Sequence, residues 1–60
     1  MDYRSAKKLK KNDIVIEKKS KKKLLINSID KFKHHGKKYI MIDTIDDNGK
    51  HMIHTHLEVE

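Results

Sequence analysis

Residues 39–59, YIMIDTIDDNGKHMIHTHLEV, restrict the fold more than any other stretch of the chain. Two β-rich runs flank a short connection holding Asn48-Gly49, and Asn-Gly between apolar runs is the strongest local signal for a β-hairpin. YIMIDTI (39–45) is strand-like throughout. HMIHTHLEV (51–59) alternates with period two. That alternation predicts Ile53, Thr55, Leu57 and Val59 on the core face, with His54, His56 and Glu58 turned to solvent.

Upstream, DIVIE (13–17) reads as a short β-branched strand. LLINSIDKF (24–32) reads as a longer one whose apolar positions, Leu24, Leu25, Ile26, Ile29 and Phe32, slip out of strict alternation. Such a slip predicts a bulge or strong bend, and Phe32 is expected in the core. HHGKK (34–38) predicts a tight turn around Gly36, and Lys11-Asn12-Asp13 another, because Asn tolerates left-handed backbone angles. KKSKKK (18–23) is too charged to pair in a sheet and reads as a mobile loop that repulsion keeps open until an anion arrives. Residues 1–11 read as a basic arm or short helical turn, with Ser5 as N-cap and Leu9 pinning it to the core. Residues 12–60 then form one small, mainly β domain: an antiparallel meander of four to five strands curled into a barrel, which protects its edges.

At 60 residues and 35% apolar content, with eight isoleucines and no tryptophan, one thin core is affordable but not a deep substrate cleft beside it. Cysteine is absent, which removes disulfides and thiolate metal sites. No apolar run reaches transmembrane length and no signal-peptide stretch opens the chain, so a cytoplasmic or nucleoid-associated protein is expected.

The layout LKKNDIVI, LLINSID and YIMIDTIDDNGKHMIHTHLEV resembles small SH3-like barrels, including KOW-type and Tudor-type modules, over roughly residues 9–59. Those modules often open with lysines, a Gly-Asp pair and a β-branched strand. Asn12 stands here where their glycine usually is, and the aromatic cage of Tudor modules is missing. The resemblance implies an SH3-like barrel fold.

Charge is the most informative property for function. Residues 1–38 carry 14 Lys/Arg against four acids, and residues 39–60 carry one lysine against five acids. A basic portion followed by an acidic one points to a polyanion partner on one surface. The candidate nucleic-acid-binding residues are Lys18, Lys19, Lys21, Lys22 and Lys23 in the loop, then Lys31, Lys33, His34, His35, Lys37 and Lys38 around the next turn. Arg4, Lys7, Lys8, Lys10 and Lys11 of the arm can join either group. The two groups flank the second strand, roughly 30 Å apart at most by strand rise. Only Arg4 offers a bidentate fork to guanine, and Asn12, Asn27 and Asn48 look committed to turns or strand, so backbone-dominated, sequence-tolerant binding is expected. Tyr3, Tyr39 and the His34–His35 pair are the candidates for base stacking.

Other chemistries are less well supplied. His51, His54 and His56 form H-x-x-H-x-H, but histidines two apart on a strand need further ligands, and a solvated strand face explains them without a metal. Protonation of all five histidines would raise the net charge from +6 toward +11 and tighten polyanion binding in acid. Asp43, Asp46 and Asp47 cluster at a turn that explains them, and Ser5, Ser20 and Ser28 lie in no nucleophile setting. The expectation is therefore a non-enzymatic protein, without cofactor, that binds DNA or RNA with low sequence specificity, as monomer or homodimer and away from membranes. The alternative is a protein-interaction module that covers an acidic protein surface, such as a phage-type accessory protein engaging host machinery.

Overall fold

The computed structural model describes residues 1–60. It is mainly β: a single antiparallel sheet in the order β1 (Ile14–Ile16), β2 (Lys23–His34), β3 (Lys37–Ile45), β4 (His51–Thr55), curled into a half-barrel. A short helix, α1 (Tyr3–Ala6), precedes the sheet, and a 3-10 turn, His56–Glu58, follows it. No helix is long and apolar enough to cross a membrane.

Local chemistry accounts for each connection. Asp2, rather than Ser5, caps α1: its side chain accepts from the Ser5 N–H at 2.8 Å, since a carboxylate one position before the first turn reaches that orphan donor. Asn12 adopts φ 77°, and its N–H donates to the Ile26 carbonyl, so the 11–13 turn starts the β1–β2 pairing. The β2–β3 turn holds His35 at φ 50° and Gly36 at φ 78°, two consecutive left-handed residues of the type that matches strand twist. The β3–β4 connection works differently. Only Gly49 is left-handed there (φ 79°), while the Asp46 carboxylate accepts from the Asn48 and Lys50 amides at 2.9 Å each. The expected bulge in β2 lies between Ile26 and Ser28, leaving Asn27 without a directly opposed partner in β3.

The core is aliphatic: Ala6, Val15, Leu24, Ile26, Ile40, Ile42 and Val59, with Leu9, Tyr3, Met1 and Ile29 packed against it. Its position reverses the face assignment expected for residues 51–59. In the β3–β4 register Ile42 opposes His54 and Asp43 opposes Ile53, and directly opposed residues share a face. Because Ile40 and Ile42 are fully buried, His54 (3% exposed) goes inward and Ile53 (66% exposed) outward. Alternation then stops. Thr55 and Glu58 form a capping box, with the Thr55 N–H donating to Glu58 Oε1 at 3.0 Å, and the chain winds through the 3-10 turn. That turn shifts the phase, so His56 and Val59 are both buried while Leu57 is 54% exposed. Strand pattern alone could not foresee this, although Thr-x-x-Glu is a readable helix-start signal.

Beyond the turn the chain returns to β1. Val59 bridges Glu17, the Lys18 N–H donates to the Glu58 carbonyl and the Glu60 N–H to the Ile16 carbonyl, so the two ends of the meander are joined.

The reversed faces set an expected ranking of mutational costs. His54→Ala should cost about 2–3 kcal/mol by stranding its buried hydrogen-bond partners. Ile53→Ala should change stability by no more than about 0.5 kcal/mol, as for an ordinary surface site. Chemical denaturation of the two variants checks this; the opposite order would return Ile53 to the core.

Candidate nucleic-acid interface

All the candidate lysines are exposed, but they do not share one environment. Residues 18–22 of the KKSKKK segment form a closed turn and not an open loop, and Lys23, expected to be too charged to pair, opens β2 opposite Ile16. The Glu17 N–H donates to the Lys22 carbonyl, the Lys21 N–H to the Glu17 carbonyl, and Ser20 Oγ to Glu17 Oε1. Lys21 sits in the left-handed region at φ 61°. Backbone pairing holds the turn while the ammonium groups diverge into water, where like-charge repulsion is weak.

Acids meet the cations of this turn. Lys21 pairs with Glu60, and that ammonium holds the Glu60 carboxyl below its usual range. Lys22 and Lys23 line a depression of about 380 Å³ together with Asp46, Asp47 and Asn48. The Lys50 amide bond to Asp46, more than any other contact, keeps that carboxyl below the ordinary range. The loop end is thus a mixed-charge surface.

The opposite end of β2 is unlike this. β1 covers only Lys23–Leu25, so the edge of β2 from Ser28 onward has no neighbouring strand. Along that edge a concavity of about 450 Å³ is lined by Tyr3, Lys7, Lys31, Phe32, Lys33 and Lys38, with no acid among them. A second depression beside it holds Lys37, Lys38, Tyr39, His56 and Leu57, again without an acid. Phe32 is not a core residue. It opposes Tyr39 across the β2–β3 ladder, and the rings stack at 5.1 Å between centroids and 18° between planes. The bulge explains the difference, because the extra residue moves everything after Asn27 to the other face. Lys7 Nζ lies 5.8 Å from the centroid of the Tyr3 ring, and the ring of Tyr3 meets that of His56 edge-on at 5.8 Å.

The structure therefore brings together Lys7, Lys31, Lys33 and Lys38, with Lys37 adjacent. His34 and His35 stand at the turn tip with their rings 4.1 Å apart. Lys18, Lys19, Lys21, Lys22 and Lys23 are at the other end of β2. Arg4, Lys8, Lys10 and Lys11 are exposed but line neither depression.

The histidines of H-x-x-H-x-H have separate partners and share none. His51 faces Asp43 at 3.4 Å on the outer face. His54, expected to be solvated, is buried with Nε2 2.6 Å from Glu17 Oε2 and Nδ1 3.2 Å from Thr44 Oγ1. His56, also expected to be solvated, accepts from the Ile40 N–H through Nδ1 at 3.2 Å. Glu17 and Thr44 had no prominence in the sequence; the only hint was an acid directly before a lysine run. The Asp43, Asp46, Asp47 group is divided as well, since Asp43 accepts from Asn27 Nδ2 at 2.9 Å while Asp46 caps its own turn.

Burial first, then the amino terminus, holds the His56 imidazole below its usual range, with Lys18 adding to the effect and Asp2 opposing it. His56 therefore resists the protonation in acid that was expected of all five histidines. A folded-state value below that of the unfolded chain means the unfolded chain takes the proton first. The contribution is therefore complete above about pH 6.5 and is lost as pH falls through the lowered value. Thermal midpoints should drop between pH 7 and pH 5, and His56→Gln should flatten that part of the curve. Equal slopes in both proteins would remove His56 as the cause.

Compared with protein-family models, with curated proteins and with solved structures, the chain matches none.

Proposed function

We propose that this chain is a non-enzymatic nucleic-acid-binding module that takes DNA or RNA with little sequence preference. The reading rests on one observation above all: Lys7, Lys31, Lys33 and Lys38 converge on a concavity that contains no acid. Phosphates docking there displace the counterions condensed on the polyanion, which yields affinity without base reading. Lysine ammoniums are point charges without the planar fork that reads guanine, which suits sequence tolerance. The Lys18–Lys23 turn contributes less, because Glu60, Asp46 and Asp47 stand against it.

As to fold, we infer an SH3-like barrel of the broad KOW and Tudor class. Support comes from the four-stranded meander and from the C-terminal segment that returns to pair with β1. The compartment that suits this reading is the cytoplasm or nucleoid.

A second reading, a protein-interaction module such as a phage-type accessory protein, has its own support. Ile14, Leu25 and Ile53 are 55%, 37% and 66% exposed on the outer face of the sheet, an unusual apolar display for so small a domain.

Charge reversal separates these readings. Combining Lys31→Glu, Lys33→Glu and Lys38→Glu should weaken binding to every oligonucleotide sequence and lower the slope of log affinity against log salt by about 2–3. Combining Lys21→Glu, Lys22→Glu and Lys23→Glu should have a smaller effect on both. Gel-shift titrations at two salt concentrations measure this. An unchanged slope in the first variant would remove the hairpin-end site, and absence of binding in the wild type would favour the interaction module.

A further inference from the structure

We propose that the hairpin end binds single-stranded nucleic acid, with an unpaired base stacked on Phe32 beside Tyr3 and the flanking phosphates held by Lys7, Lys31, Lys33 and Lys38. The inference rests on the nucleic-acid reading above and names the form of polymer that this site takes.

Three observations carry it. The first is where the aromatic residues lie. This chain has one Phe and two Tyr, and none belongs to the seven-residue buried core, although a 60-residue domain is short of core volume. Phe32, which has no polar handle to satisfy, is only half-buried and lines the basic concavity together with Tyr3. Leaving such a ring at a lysine-rich surface forgoes burial that a thin core would use, and a ligand with an apolar face recovers it.

The second is preorganisation. Tyr39 lies nearly parallel to Phe32, 18° between planes, so the ring is held in place before a ligand arrives and less ordering is required on binding.

The third is electrostatic. Lys33 and Lys38 are directly opposed in the β2–β3 register, and directly opposed like charges destabilise a sheet. Lys31 and Lys33 precede and follow Phe32 and project from the opposite face of the strand, yet both line the same concavity as the ring, together with Lys38 and with Lys7 from the end of α1. An anion bridging Lys33 and Lys38 relieves the repulsion. This is the arrangement of a base-stacking platform within a backbone-tracking basic groove.

The choice of single strand follows from stacking itself. A base in a duplex has both faces covered by its neighbours, and only an unstacked base can offer a face to Phe32. The concavity of about 450 Å³ also lies within the ~300–1,000 Å³ range of small-ligand sites.

The test compares three probes of similar charge at one salt concentration by fluorescence anisotropy or competition: a single-stranded oligonucleotide, the corresponding duplex, and inorganic polyphosphate, which has no bases. The wild type should prefer the single strand by about tenfold or more. Phe32→Leu should weaken single-strand binding by a factor within about 5- to 150-fold, the range for loss of one stacked base. The same variant should leave duplex and polyphosphate binding within about twofold, and Phe32→Tyr should restore most of the loss. Lys33→Gln should lower all three affinities alike. Thermal melts of each variant establish that it is folded at the assay temperature. If the wild type binds all three probes equally and Phe32→Leu changes none, the stacking site is overturned while nucleic-acid binding stands. If neither oligonucleotide binds, both readings are overturned together.

Discussion

Glu17 sits where the end of β1, the lysine turn, the returning C-terminal segment and the buried imidazole of His54 all meet. One carboxylate oxygen is 2.6 Å from His54 Nε2, and the other accepts from Ser20 in the turn. The Glu17 backbone pairs with Lys21 and Lys22, and the residue bridges Val59. A carboxylate that accepts from Ser20 and then from His54 is held below its usual range and stays ionised. The arrangement lets a polar ring occupy the interior, because a buried imidazole is tolerable only when both nitrogens have partners, and Thr44 supplies the second. No buried side-chain nitrogen or oxygen is left unpartnered.

That constraint reaches the surface. The lysine turn is tied down by Glu17; Lys21 pairs with Glu60 of the acidic C-terminal portion, and Lys22 and Lys23 line a depression with Asp46 and Asp47. The basic excess of residues 1–38 is therefore not spread evenly over the molecule. It remains uncompensated at the far end of β2, where the bulge has turned Phe32 toward Tyr39 and where β1 is too short to cover the strand edge. Charge, open edge and aromatic surface coincide there because of strand lengths and one extra residue, not because of any motif.

Much of the architecture could be read directly. Alternation and the Asn48-Gly49 signal define the β3–β4 hairpin, Gly36 marks the β2–β3 turn, and the irregular apolar spacing in 24–32 locates the bulge. Residues 51–59 were harder, because period two is compatible with either face and only the partner strand decides between them. Ile40 and Ile42 of β3 took the core, His54 had to follow Ile42, and the Thr55–Glu58 box then ended the alternation. Of the candidate site, the lysines were legible as a class. Their division into a group that shares its surface with acids and a group that does not was not, since Glu60, Asp46 and Asp47 are remote from them in the chain.

The sequence by itself determined the β class, the connections and the excess of positive charge, because turn chemistry and hydrophobic periodicity act between near neighbours. The tertiary structure decided which histidines are buried, which lysines stay free of acids and where Phe32 lies. Those outcomes depend on strand register and chain closure, which bring together residues as distant as Glu17 and His54 or Lys21 and Glu60.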